Sequence, residues 1–106
     1  MTVEKLWDID YGNKAEAKDD EGRLMRRADI GNPVSPYEPT IDHVNPIAKG
    51  GKDTLGNLRL CNRITNGEKG DRFPHWEANG RWWQARRNKN NNNPKRPKKY
   101  VIEEIE

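Results

Sequence analysis

Between Thr40 and Gly70 the chain places a proline-stopped strand, a glycine loop, a return run and a short helix in immediate succession, which leaves few ways to fold. Thr40-Ile41-Asp42-His43-Val44-Asn45-Pro46 is strand-like through its β-branched Ile41 and Val44. Pro46 ends it, because proline lacks the amide that a ladder needs. Gly50 and Gly51, in the loop over 45–56, permit tight left-handed backbone. Asn57-Leu58-Arg59-Leu60 follows, and 62–69 reads as a helix with Gly70 as its stop. Gly67 inside that helix weakens it by about 1 kcal/mol relative to Ala.

Around this segment the signals are sparser. Leu6, Trp7 and Ile9 alternate with Asp8 and Asp10, so the first 31 residues predict strand-like or irregular pieces, with one short helix over 14–20. Pro33, Pro36 and Pro39 mark a loop. Asn79-Gly80 between His75-Trp76-Glu77-Ala78 and Arg81-Trp82-Trp83-Gln84 predicts a hairpin, since both residues of a type I′ turn need positive φ. From Asn88 the run of Asn, Lys, Arg and Pro holds nothing apolar to bury and predicts a solvated linker or arm. Tyr100-Val101-Ile102 is either a short docking strand or not ordered. The division is therefore 1–87 as a domain with its core motif at 40–70, and 88–106 as a basic, partly disordered arm.

Composition narrows the class. Leu, Ile, Val and Phe number 17 of 106 residues, enough for one modest core. The four tryptophans and a net charge of only +3 argue against full disorder. A single Cys61 excludes an intrachain disulfide and any zinc site built on two or more cysteines, and it reads as a small packing residue on the helix side facing the hairpin. No apolar run is long enough for a bilayer span or a signal-peptide core, so the expectation is a soluble, unprocessed chain in a reducing compartment, with no membrane partner.

The charge is unevenly spread. Residues 1–22 hold seven acids and three bases, whereas 23–99 hold seven acids and seventeen bases. Such a block suits phosphate-rich partners through counterion release, or serves as a solvated surface. The stretch 81–99 has eight bases and no acid, and reads as a DNA-backbone contact in preference to an unstructured tail. Trp76, Trp82 and Trp83 suit cross-strand packing better than base stacking.

Ile41-Asp42-His43-Val44-x-Pro46, Gly50-Gly51, Asn57-Leu58 and Asn66-x-x-Lys69-Gly70 together resemble the HNH endonucleases, over about 30 of the 106 residues. His43 to Asn57 is 14 positions and Asn57 to Asn66 is 9, similar to the zinc-free branch. Thr65 stands where members with a structural zinc often have a cysteine, so no structural zinc is expected. Residues 4–29 look more loosely like the leader of small phage and bacterial HNH proteins. The resemblance implies an α+β domain built on a ββα-metal motif, with a flanking hairpin and an irregular N-terminal segment. It also implies DNA as partner and a cytoplasmic location in a bacterial or phage-infected cell.

What the resemblance implies for individual residues follows from phosphodiester chemistry, which needs an activated water and neutralisation of charge at phosphorus. His43 would be the general base, with a reference pKa of about 6.5. Asp42 and Asn66 would ligate one divalent ion, and two oxygen donors suit Mg²⁺ or Mn²⁺. Asn57 would brace the loop through backbone near His43 and so orient the base, or it is a turn or cap residue. Lys69 and Arg63, with Arg81, Arg86, Arg87, Lys95 and Arg96 from the basic stretch, are the expected phosphate contacts. His75 reads as a hairpin residue. Adjacent strand residues face opposite ways, so Asp42 and His43 can share a site only where the strand ends or bends. The activity implied is metal-dependent nicking or cutting of DNA. The alternatives are a DNA-binding module without turnover and a nuclease toxin domain.

Overall fold

The computed structural model describes residues 1–106 as a mixed α+β fold of two helices and three small antiparallel sheets. The chain opens on a helix, α1 (Val3–Tyr11), where strand-like structure was expected. The reason is spacing: Val3, Leu6, Trp7 and Tyr11 lie three or four apart and face the core, while Ile9 is exposed. Thr2 caps the start by accepting from the Lys5 amide at 3.2 Å, and Gly12 ends the helix at φ +61°. The helix expected over 14–20 is instead the start of a small hairpin, β1 (Glu16–Lys18) with β2 (Leu24–Arg26).

The central unit is ββα. Strand β3 (Pro39–His43) pairs antiparallel with β4 (Leu58–Asn62), setting Asp42 opposite Arg59 and His43 opposite Leu58. Helix α2 (Arg63–Lys69) follows at once, capped by the Asn62 side chain on the Ile64 amide at 2.8 Å and ended at Gly70. Asn62 also donates to Leu24 O and Pro36 O, so one buried amide ties the helix start to the N-terminal hairpin and the proline loop. Cys61 is buried on β4, not on the helix.

The third sheet runs β5 (His75–Ala78), β6 (Arg81–Arg87) and β7 (Tyr100–Glu104). Asn79 and Gly80 both have positive φ, as the turn between β5 and β6 requires. The segment after Asn88 returns along the body, and Tyr100-Val101-Ile102 is an ordered strand beside β6. Two apolar clusters result: Leu6, Trp7, Met25, Leu58 and Leu60 between α1 and β4, and Trp76, Ala78 and Trp83 on the third sheet. Trp76 and Trp83 are cross-strand partners, while Trp82 lies on the opposite face and is 53% exposed. No helix is long and apolar enough to cross a membrane.

Candidate active site

The last residues of β3 and the middle of α2 border one open pocket of about 530 Å³, lined by Asp42, His43 and Asn66 together with Ile47 and Asp71. Asp42 and His43 share it because His43 is the final strand residue and the chain bends away at Val44. The three expected site residues are therefore neighbours around a single opening.

Asp42 is buried, and its charge is already balanced from inside. Its Oδ2 accepts from Arg59 Nε at 2.9 Å, and its Oδ1 lies 3.3 Å from Lys69 Nζ. Arg59 continues the chain of charges with two parallel bonds to Glu21, at 2.7 and 2.8 Å, and a third to Asp20 at 3.2 Å. Trp76 Nε1 donates to the same Glu21 at 2.9 Å. Lys69, Asp42, Arg59 and Glu21 thus alternate in sign through the interior, which is how buried charges are tolerated. Burial pushes the Lys69 ammonium below its ordinary pKa, and the Asp42 carboxylate opposes that shift.

The expectation that Lys69 grips phosphate is corrected by this cluster: the side chain is wholly buried, bonded to Asp42 and to His43 O. Arg96 is corrected likewise. It is held by Asp10 at 2.7 Å and by the carbonyls of Leu55, Leu58 and Pro97, and so fastens the C-terminal segment to the body. Arg63 is paired with the largely buried Glu38, while Arg81 pairs with Glu104 and Arg86 with Glu103 at the surface. Arg87 and Lys95 are exposed and have no carboxylate partner, as are Lys49 and Lys52 in the loop beside His43. The large basic excess of 23–99 is in this way reduced by the acids of 1–22, since Asp8, Asp10, Asp20 and Glu21 all pair with arginines from that block.

Asn57 is buried and bonds the backbone near His43. Its Oδ1 accepts from Asn45 N at 2.9 Å, and its Nδ2 donates to Asn45 O at 2.9 Å and Lys52 O at 2.8 Å. Gly51 lies so close to this strand end that a Cβ there would sit 1.8 Å from Asn45 O. The two anchors fold the glycine loop back onto β3.

They also bring in a residue that sequence reasoning passed over. Asp53 Oδ1 is 3.0 Å from His43 Nε2. A loop aspartate has no periodicity to mark it, and its only signal is its place two residues after the paired glycines. Arg59 and Glu21 were missed for a different reason: their duty depends on partners far apart in the chain.

The donor chemistry suits a hard cation. Asn66 Nδ2 donates to Thr40 Oγ1 at 3.0 Å and Ile41 O at 3.3 Å, which leaves its Oδ1 without a partner in the chain. Each carboxylate oxygen has about two lone pairs, so Asp42 keeps acceptor capacity beyond Arg59 and Lys69. No three His, Cys, Asp or Glu side chains converge anywhere into a metal cluster.

Residues 28–75, which include β3, the glycine loop, β4 and α2, match the family model described as HNH endonuclease. The match covers a little under half of the chain, and over these residues the chain is similar to the HNH endonucleases. No curated protein and no solved structure gives a match to the chain.

Proposed function

We propose that the protein is a metal-dependent endonuclease that hydrolyses phosphodiester bonds of DNA, nicking or cutting it to leave 5′-phosphate and 3′-hydroxyl ends. The observation that carries this reading is the meeting of the His43 imidazole, the Asp42 carboxylate and the Asn66 amide at one open pocket within the HNH segment.

A water at the pocket gives a proton to His43 as its oxygen attacks phosphorus. The bond from phosphorus to the 3′ oxygen breaks, and that oxygen leaves with the bonding pair and is protonated from solvent. Mg²⁺ or Mn²⁺ held by Asp42 and Asn66 would neutralise charge on the phosphate in that step. Asn57 keeps the backbone after His43 in register, and so aims the imidazole. Lys49, Lys52, Arg87 and Lys95, which are exposed and have no acid partner, contact flanking phosphates as point charges or forks.

The test is supercoiled plasmid incubated with the purified chain across Mg²⁺, Mn²⁺, Ca²⁺ and Zn²⁺, with EDTA as control. Conversion to nicked or linear plasmid with Mg²⁺ or Mn²⁺, abolished by EDTA, is expected. Salt-sensitive DNA binding with no cleavage under any ion would favour the non-catalytic module instead.

A further inference from the structure

The contact between His43 and Asp53 carries more than a surface ion pair would. A carboxylate only accepts hydrogen bonds, so when the imidazole is neutral the proton on the bonded nitrogen must be the Nε2 proton. That leaves Nδ1 as the basic nitrogen. Nδ1 has no partner in the chain, and the ring borders the pocket shared with Asp42 and Asn66.

Asp53 itself is 79% exposed, and an exposed side chain would ordinarily lose such a contact to solvent. Here the backbone on both sides of it is fixed by one residue. Asn57 Nδ2 holds Lys52 O at 2.8 Å, and Asn57 N holds Thr54 O at 2.9 Å. The same Asn57 holds Val44 N through its carbonyl at 2.9 Å, and Asn45 through its side chain. The two residues after His43 and the two residues flanking Asp53 are thereby tied to a single buried asparagine. Gly51 N on Pro46 O at 3.0 Å closes the loop between them.

We propose that Asp53 is a positioning residue for the reaction: it fixes the Nε2–H tautomer of His43 and turns Nδ1 toward the attacking water. This rests on the nuclease reading, and it adds the nitrogen that accepts the proton and the side chain that selects it. Carboxylate partners commonly set the tautomer of a working histidine in this manner.

The experiment compares wild type, Asp53→Ala and Asp53→Asn in two measurements. The first is ¹⁵N NMR of the His43 ring in the free protein, at a pH where the ring is neutral. The second is plasmid nicking with Mg²⁺ or Mn²⁺, separated into kcat and KM. Wild type should show the Nε2–H tautomer, and Asp53→Ala a mixture of tautomers. Asp53→Ala should also lower kcat by about tenfold or more, part of the 10²–10⁴ that a general base contributes, with KM unchanged. Asp53→Asn, whose side-chain carbonyl can still accept the Nε2 proton, should restore the tautomer and part of the rate. An unchanged tautomer in Asp53→Ala, or a rise in KM with kcat unaltered, would overturn the proposal. A wild type that nicks nothing under any ion would sink the nuclease reading and the catalytic half of this one, and the NMR result would still decide whether Asp53 sets the ring.

Discussion

Asp42 and Arg59 face each other across β3 and β4, and the buried guanidinium holds the carboxylate by a 2.9 Å bond while its other nitrogens hold Glu21. A candidate metal ligand is in this way also part of the internal charge balance. Replacing Arg59 by Leu would leave Asp42 and Glu21 as buried carboxylates with half their partners gone. We expect a loss of about 3–5 kcal/mol, the range for breaking one side of a buried ion pair, read as a fall in the urea midpoint. A variant within about 1 kcal/mol of wild type would show that the cluster is not holding the fold.

Gly51 makes a steric prediction. The obstacle to a side chain there is backbone, Asn45 O at 1.8 Å from an added Cβ, and backbone so closely bonded cannot yield cheaply. Gly51→Ala should cost about 3 kcal/mol, the upper end for overpacking, and should detach Asp53 from His43. Thermal melting together with the His43 ring spectrum checks both parts. Gly50→Ala has open space around it and meets only the strain of its φ of +86°, so it should be milder, about 1 kcal/mol.

How far such features could be read in advance varies with their range. The ββα unit was legible because its punctuation is local: Pro46, the paired glycines and Gly70 each act within a few residues, and Asn79-Gly80 dictates its own turn. Helix α1 was not, since the Trp7-Asp8-Ile9-Asp10 alternation imitates a strand, and only the Thr2 cap and the wider spacing out to Tyr11 reveal the helix. The buried charges were beyond reach. Whether Lys69 lies at the surface or under Asp42 depends on Arg59, Trp76 and the far-removed Glu21, all of them outside α2. Arg96 similarly finds Asp10 across 86 positions.

Asn66 gives a cleaner probe of cation binding than Asp42, because its removal strands no buried charge. Asn66→Ala should weaken Mn²⁺ binding, followed by electron paramagnetic resonance, by about tenfold, on the scale of losing one ligand or its support. The lost bonds to Thr40 and Ile41 should cost about 1 kcal/mol of stability. Unaltered Mn²⁺ affinity would remove Asn66 from the ligand set.

Acid should release the clasp between the third sheet and α2. Glu68 accepts from Arg23 and from the Asn79 amide, and these bonds, the Arg23 side chain foremost, hold its carboxyl below the ordinary glutamate range. A lowered folded-state pKa means stability that is present above the unfolded value near 4.5 and lost as pH falls through the lower folded value. The contribution is small because Glu68 is largely exposed. Glu68→Gln should flatten the stability profile below about pH 5, measured by urea unfolding, and an identical profile would contradict the assignment.

The most direct test is a paired assay on His43→Ala, measuring plasmid nicking with Mn²⁺ and, on the same preparation, DNA affinity across a salt series. The account predicts that nicking disappears while affinity and its salt slope stay close to wild type, since the imidazole does chemistry and the exposed cations do the holding. Nicking that persists in His43→Ala would contradict it.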